Sequence, residues 1–181
     1  MRLFVALDLP DVAKDALAAV AGGVTASVPG ARWVPRDNLH LTLVFLGGVD
    51  DARVPELSAA LITAAKTAAP FTARLGRAGA FPSRRRARVL WIGMEDDAGA
   101  LTRLAEATAA ALEPLGFERE RRAWTAHLTL ARFRTPCDLS SSPPIEVSPL
   151  SFEVRELSLF RSRLGRPTPV YEPLARFPLG G

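Results

Sequence analysis

The tetrapeptide His-Leu-Thr-Leu occurs twice in this chain, at positions 40–43 and 127–130. The 181 residues include only two histidines, and each stands in one of these copies. In both halves a strand-like segment and an Ala-rich helix-like segment precede the tetrapeptide, and another strand-like segment follows it. Two repeats of about 85 residues are too long and too few for a solenoid. They predict two similar lobes that face each other across a groove.

Hydrophobic periodicity predicts seven strands and three helices. The strands are predicted at 2–10, 38–47, 71–81, 88–96, 123–133, 150–160 and 169–179, and the helices at 11–24, within 50–70 and at 97–117. A Pro/Ser-rich segment, 135–149, stands where the first half has its second helix. Alternating strands separated by both turns and helices favour an α+β fold, with mostly antiparallel sheets and helices on their outer faces. We expect one bilobal domain over 1–181, with repeat halves of roughly 1–86 and 87–181.

Composition narrows the functional classes less than the repeat does. The apolar run of the N-terminal MRLFVALDLP is too short for a signal peptide, and no stretch reaches the roughly 18 apolar residues of a membrane span. The single Cys137 excludes an internal disulfide framework. These features predict a cytoplasmic protein that does not use a membrane.

Positive charge in this chain is carried almost entirely by arginine. The formal net charge is +4, and Lys14 and Lys66 are the only lysines. Arginine suits bidentate contacts to phosphate, which favours an anionic or nucleic-acid partner. A coding bias is the alternative, because the chain is also rich in Ala, Pro and Gly. The basic stretch Arg84–Arg88 is open to the same two interpretations: contact with an RNA backbone, or a solvated loop.

The repeated tetrapeptide carries the chemistry that the sequence predicts. Side chains alternate across a strand, so His40 and Thr42 share one face while the leucines pack behind them, and His127 and Thr129 do the same in the second copy. Pseudosymmetric lobes would bring all four side chains to one groove. Two imidazoles can act there as base and acid, and two hydroxyls can donate to phosphate oxygens. This set suffices to open a phosphodiester without a metal.

Other interpretations of the repeat are weaker. A duplicated lobe could keep its packing residues, yet a groove-facing histidine adds little to packing. Zinc binding would need Cys137 as a third ligand, and no acidic residue stands at ligand spacing beside either histidine. Gly-rich phosphate loops are missing, because AGG and FLGG match neither a P-loop nor a dinucleotide fingerprint.

The paired H-x-T-x motifs resemble those of the 2H phosphoesterases, in particular the RNA 2′,3′-cyclic phosphodiesterases, also called 2′-5′ RNA ligase-like proteins. The resemblance runs almost from end to end, through RWVPRDNLHLTLVFLG, LGRAGAFPSRRRARVLWIG and ERERRAWTAHLTLARF. It implies a bilobal α+β fold with the active site in the cleft, and hydrolysis of a 2′,3′-cyclic phosphate at an RNA 3′ end to a 2′-phosphomonoester. It implies no cofactor.

Residue by residue, the resemblance makes His40 the proton donor to the leaving 3′ oxygen and His127 the acceptor that activates water. Thr42 and Thr129 match the phosphate-binding hydroxyls, and Arg132 matches a basic residue near the phosphate. The partner is then RNA with a 2′,3′-cyclic end, with tRNA fragments or small cyclic nucleotides as candidate substrates, and the protein is expected to be a monomer. Ligation, which is the reverse reaction, and non-catalytic binding of RNA ends remain alternatives.

Strand parity raises a difficulty for two residues near the motifs. Arg132 follows His127 by five positions, so a regular strand would point it away from His127, unless the strand bulges or ends there. Phe45 follows His40 by the same interval, and parity predicts that it packs in the core with Leu43. Phe45 is also a candidate for stacking on a base, together with Trp33, Trp124 and Phe133.

Overall fold

The computed structural model describes residues 1–119, 123–165 and 168–180. In this part of the chain nine strands and three α-helices form. The strands are β1 (Arg2–Asp8), β2 (Ala31–Trp33), β3 (His40–Gly48), β4 (Phe71–Phe81), β5 (Ala87–Glu95), β6 (His127–Cys137), β7 (Ser151–Val154), β8 (Glu156–Arg163) and β9 (Val170–Pro178). The helices are α1 (Asp11–Val24), α2 (Val54–Lys66) and α3 (Ala100–Leu112).

The α+β fold class is confirmed, and so is each predicted helix. Two strand predictions need correction. The segment predicted as one strand over 150–160 is two strands, β7 and β8, separated at Arg155 and paired with different neighbours. The strand predicted from 123 begins at His127 and continues to Cys137. Sequence periodicity also missed β2, because three residues are too few to show a period.

The strands form one antiparallel sheet in the order β7-β4-β5-β6-β3-β1-β8-β9, with β2 also paired to β6. Strands β3 and β6 meet through a single residue pair, Leu41 with Leu128, close to the start of each strand. That contact divides the sheet into a first lobe (β9-β8-β1-β3) and a second lobe (β6-β5-β4-β7, with β2). The bilobal arrangement is therefore confirmed, with the two His-Leu-Thr-Leu segments at the junction.

Each lobe takes strands from both halves of the chain. Strand β4 follows the first motif in sequence but pairs with β5 in the second lobe. Strand β8 follows the second motif but pairs with β1 in the first lobe. One strand after the motif, β4 in the first half and β8 in the second, therefore pairs in the other lobe. Strand β7, which follows β6 directly, stays in the second lobe beside β4.

All three helices pack on one side of the sheet. Their buried residues, which include Leu17, Leu57 and Leu104, belong to the main hydrophobic core. The four motif leucines, Leu41, Leu43, Leu128 and Leu130, are buried in the same core. Complete burial of a leucine side chain contributes about 1.5–3 kcal/mol. The leucines therefore hold both motifs against the helices, and the opposite side of the sheet is left for the other motif side chains.

Candidate active site

The single pair between β3 and β6 brings the two motifs together. Leu41 and Leu128 lie opposite each other and are fully buried. Partners in an antiparallel pair point to the same side of a sheet, and their chain neighbours point to the other side. The side chains on that other side, the site face, are those of His40, Thr42, His127 and Thr129. The structure therefore assembles on one surface all four motif residues that the sequence predicts.

The antiparallel direction of β3 and β6 also determines which motif side chains lie opposite each other. Counting outward from the Leu41–Leu128 pair, His40 lies across from Thr129, and Thr42 lies across from His127. Each imidazole therefore has a hydroxyl on its own strand and another on the neighbouring strand. Trp124 reinforces the junction, because its indole Nε1 donates to the carbonyl oxygen of Thr42 at 3.2 Å.

Both imidazoles are held by the same backbone contact. His40 Nδ1 lies 2.7 Å from the carbonyl oxygen of Asn38, and His127 Nδ1 lies 2.8 Å from that of Thr125. A carbonyl oxygen accepts only, so Nδ1 carries the proton in each ring. The atom that gains or loses a proton is then Nε2 in both histidines. Sequence gives no side-chain signal for this anchor, since it is a main-chain oxygen two residues earlier.

Thr42 is bonded to the titrating atom of His40. Its Oγ1 lies 3.0 Å from His40 Nε2. When the ring is neutral, the hydroxyl donates to Nε2; when the ring is protonated, Nε2–H donates and the hydroxyl proton is released for another acceptor. The protonation of His40 and the availability of Thr42 as a donor are therefore linked.

The electrostatic surroundings of His40 lower its pKa below the ordinary 6.5. Burial of the ring is the largest cause, and the positive charges of Arg132 and Lys14 act in the same direction. The bond to the Asn38 carbonyl and the charge of Asp8 oppose the shift. In the free protein the neutral ring is favoured, so an anion beside Nε2 would be needed to favour the charged one.

Aromatic rings surround His40 in the first lobe. Phe4 lies 4.8 Å from the imidazole centroid, and Tyr171 meets it edge-on at 5.1 Å. Phe160 stacks on Phe4 at 5.3 Å and completes this wall. No local pattern in the sequence links these rings to the motif, because Phe4 lies on β1 and the other two lie on β8 and β9, at the other end of the chain.

His127 has a smaller aromatic wall in the second lobe. Phe81 meets the imidazole edge-on at 5.1 Å, and Trp91 lies 6.4 Å away. The indole of Trp91 covers Gly79, where a Cβ atom would come within 2.2 Å of the ring. Glycine is therefore required at position 79 for Trp91 to keep this position, with its ring inclined by 66° to that of His127.

Each lobe has a β-bulge at the second leucine of its motif, and in the second lobe this bulge resolves the parity difficulty of Arg132. Between β5 and β6, Trp91 pairs with Thr129 and Leu90 with Ala131, so Leu130 is an extra residue. The bulge shifts the alternation by one position. Arg132 then pairs with Val89 and returns, exposed, to the face that carries Thr129. Its charge also acts on His40, which agrees with this placement.

The equivalent bulge in the first lobe overturns the prediction for Phe45. Ala6 pairs with Thr42 and Val5 with Val44, so Leu43 is the extra residue. Phe45 is therefore not in the core: it is 64% exposed, pairs with Phe4 and has its ring 6.4 Å from that of Phe4. Phe45 and Arg132 occupy equivalent positions of the two lobes, five residues after their histidines.

The other sequence candidates have structural roles. Phe133 is buried, Trp33 packs against the core, and Trp124 bonds the Thr42 carbonyl. In the basic stretch, Arg84 donates to the carbonyl oxygens of Leu139 and Ser142, while Arg85, Arg86 and Arg88 are exposed. Within the described residues, no group of three or more His, Cys, Asp or Glu side chains could hold a metal ion. The described helices are all too short or too polar to cross a bilayer.

Comparisons with known proteins agree with this geometry. The family model of LigT-like phosphoesterases matches residues 7–91 and again 92–171, once per half. An RNA 2′,3′-cyclic phosphodiesterase of Geobacillus stearothermophilus is 33% identical over 98% of this chain, which spans 57% of that protein's length. An RNA 2′,3′-cyclic phosphodiesterase of Archaeoglobus fulgidus is 34% identical over 98% of this chain and 99% of its own.

A solved structure shares the fold over its whole length. Escherichia coli LigT complexed with 3′-AMP superposes with a TM-score of 0.81 at 31% identity, covering 99% of this chain and 98% of that chain. The match includes both lobes, so the arrangement of two motifs at one junction belongs to a fold that accepts a nucleotide in that relative.

Proposed function

We propose that this chain, which belongs to the LigT-like phosphoesterase family, hydrolyses RNA 2′,3′-cyclic phosphate ends to 2′-phosphomonoesters. The relatives that bear this activity in their names support the reaction, and one of them has nearly the length of this chain. The observation that carries the proposal is the Leu41–Leu128 pair. It places two imidazoles with the same tautomer on one surface, with a threonine hydroxyl beside each.

The reaction begins with water at the phosphorus atom. His127 Nε2 takes a proton from the attacking water, since Nδ1 is committed to the Thr125 carbonyl. A new P–O bond forms, and the bond from phosphorus to the 3′ oxygen breaks. The 2′ oxygen keeps the phosphate. The assignment of His127 as the base rests on the family resemblance, because both imidazoles have the same backbone anchor and equivalent positions in their strands.

His40 supplies the proton for the leaving 3′ oxygen. Its lowered pKa makes it neutral in the free protein, so it must gain a proton when substrate binds. The anionic phosphate favours that proton, because a negative charge close to the ring raises the pKa. Protonation also turns the Thr42 bond around and frees the Thr42 hydroxyl proton. Substrate binding and charging of the acid therefore support each other.

The remaining site residues hold the phosphate and the nucleoside. Thr42 and Thr129 donate to the non-bridging oxygens, where negative charge accumulates during the displacement. Arg132 adds a positive charge on the same face. Phe45 offers an exposed ring in the first lobe, and stacking of a base on an aromatic ring contributes roughly 1–3 kcal/mol. No cofactor takes part in this scheme.

The substrate class follows from these groups. The phosphate, ribose and terminal base are the parts that the motif residues and Phe45 contact, so small cyclic nucleotides qualify as well as longer RNA. The LigT complex with 3′-AMP supports the fit of a single nucleotide to this fold. Fragments of tRNA that end in a cyclic phosphate are one cellular source. The protein acts as a cytoplasmic monomer in this proposal.

A short oligoribonucleotide with a 2′,3′-cyclic end tests the proposal. We expect hydrolysis in the presence of a strong chelator, with a 2′-phosphate as the sole product, identified by phosphorus NMR. Loss of turnover in chelator, restored by zinc or magnesium, would contradict the acid–base scheme. A 3′-phosphate product would reverse the roles of His40 and His127.

A further inference from the structure

Two arginines stand side by side on the site face of the second lobe. Strand β2 pairs with β6 so that Arg32 lies directly opposite Arg132. Their neighbours in the same pairing, Trp33 with Ala131 and Ala31 with Phe133, pack against hydrophobic clusters on the other side. Arg32 therefore shares the surface that carries Arg132 and Thr129. No motif pointed to Arg32, because β2 is too short to be predicted.

A third arginine extends this surface along β6. Arg134 follows Arg132 by two positions, and burial alternates from Ala131 to Arg134, so both arginines lie on the same face, roughly 7 Å apart. The next register irregularity between β5 and β6 falls between Arg132 and Cys137. Arg32, Arg132 and Arg134 are all exposed. We name these three residues the arginine row. It begins beside Thr129 and leads away from the histidines, towards the end of β6.

Among the described residues, the arginine row has no carboxylate partners of the kind that neighbour other arginines. Arg36, Arg74 and Arg161 each pair with aspartate or glutamate. Within residues 1–119, 123–165 and 168–180 no carboxylate lies within salt-bridge distance of Arg32, Arg132 or Arg134. Like charges directly opposite each other in a sheet are destabilising. A bound anion would relieve that repulsion, so the free protein is prepared for negative charge along this row.

We propose that the arginine row binds the phosphates of the RNA strand immediately upstream of the cyclic end. This inference rests on the proposed function, which places the terminal phosphate between the histidines with Arg132 near it. From its 3′-terminal nucleotide an RNA strand continues only in the 5′ direction. The phosphates of the 5′ neighbour are the next negative charges, and Arg32 and Arg134 are the positively charged side chains beside Arg132 in the second lobe. Guanidinium groups bind phosphate by paired hydrogen bonds.

The inference separates two classes of substrate. A mononucleoside 2′,3′-cyclic phosphate fills the site without reaching Arg32 or Arg134, whereas an oligoribonucleotide with the same terminal nucleotide reaches both. The test compares kcat/KM for these two substrates in wild-type protein, Arg32→Ala, Arg134→Ala and the double variant. We expect each single substitution to lower kcat/KM for the oligonucleotide about 3- to 10-fold at low salt. Hydrolysis of the mononucleotide should change less than about 2-fold, by the same reasoning.

Salt dependence provides a second readout. Each lost phosphate contact on a single strand should reduce the slope of log(kcat/KM) against log salt by about 0.7. Arg32→Lys keeps the charge and should restore most of that slope. The control is Arg155→Ala, which removes another exposed arginine, one that pairs with Glu153 next to β7, at the far edge of the second lobe. We expect Arg155→Ala to leave kcat/KM and its salt dependence unchanged for both substrates.

The possible outcomes are distinct. Selective loss of oligonucleotide turnover in Arg32→Ala and Arg134→Ala supports the inference. Equal loss on both substrates would place these arginines in the folding or chemistry of the site, and no loss on either would leave them as solvated side chains; each result overturns the inference alone. Wild-type protein that hydrolyses neither substrate would contradict the proposed function, and the inference with it.

Discussion

His40 and His127 share a sequence motif, a backbone anchor and a position in their lobes, yet their surroundings differ. His40 sits among Phe4, Phe160 and Tyr171, with the charges of Asp8 and Lys14 nearby. His127 contacts two rings, Phe81 and Trp91. The residue opposite it on β5 is Gly93, whereas the residue opposite His40 on β1 is Asp8. The duplicated motif therefore supplies two copies of one reactive group, while the neighbouring strands make their environments unequal.

The same contrast continues five residues after each histidine. Both lobes have a bulge at the second leucine of the motif, and each bulge returns the residue two positions later to the site face. There the first lobe has an apolar ring, Phe45, and the second has a charge, Arg132. In our proposal Phe45 in the first lobe holds the base, and Arg132 in the second lobe adds a positive charge beside the phosphate. The repeat thus builds one substrate site from two specialised halves.

Removal of either imidazole should cause the largest loss of activity. General acid and general base catalysis each contribute about 10²- to 10⁴-fold, so His40→Ala and His127→Ala should each lose activity on that scale with a cyclic-ended oligonucleotide. Steady-state rates and thermal unfolding of both variants measure this. A variant that folds and retains wild-type turnover would show that its histidine is a copied packing residue.

The threonines should separate the two halves further. Thr42→Val and Thr129→Val each remove a hydroxyl with little change of shape, and loss of one oxyanion donor costs about 10- to 1000-fold in rate. Of the two motif threonines, Thr42 is the one that bonds a histidine Nε2 among the described residues. We therefore expect the pH–rate profile to shift in Thr42→Val and to keep its shape in Thr129→Val. Identical profiles in the two variants would contradict the link between Thr42 and His40.

Phe45 and Arg132 test the division between base and phosphate. Phe45→Ala should raise KM about 5- to 100-fold for a cyclic nucleotide, the range expected for one stacked base. It should change hydrolysis of a cyclic phosphate that carries no base far less. Arg132→Ala should impair both substrates alike. If Phe45→Ala weakened the two substrates equally, its ring would be supporting the fold instead of the base.

The smallest expected effect concerns folding. Because the pKa of His40 is lowered in the folded protein, the unfolded chain takes up the proton first as the pH falls through about 6.5. The stability contributed by neutral His40 is present above that pH and is lost below it. The difference in unfolding free energy between wild type and His40→Gln should therefore shrink as the pH falls from 7 to 5. Urea denaturation across this range measures it, and a constant difference would argue against a desolvated ring.

Local pattern predicted the elements and the face of each motif, because strand alternation and the apolar face of a helix are properties of a few adjacent residues. Helix α1 and strand β4 appear where periodicity places them. Lobe membership could not be predicted in this way. The exchange of β4 and β8 between lobes depends on pairing across the whole chain, and the segment 150–160 gave no sign that it divides at Arg155.

The two β-bulges limit how far strand alternation can predict which site residues share a face. Parity is reliable up to Thr42 and Thr129 and fails immediately after them, which is why Phe45 was wrongly predicted to lie in the core. The five-residue offset of Arg132 from His127 indicated that a bulge was needed if Arg132 was to reach the site. The same offset at Phe45 gave no such indication, since phenylalanine is common in protein cores. The anchors of the histidines could not be predicted because they are main-chain atoms.

In our proposal the two imidazoles of the repeated motif perform opposite tasks on one phosphate, and leaving-group dependence tests this division most directly. An aryl phosphodiester with a good leaving group needs little protonation, so it should restore much of the activity lost in His40→Ala and little of that lost in His127→Ala. The measurement is the ratio of kcat/KM for the aryl diester to that for a 2′,3′-cyclic nucleotide in both variants. We predict a much larger ratio for His40→Ala. Equal ratios would contradict the division into acid and base.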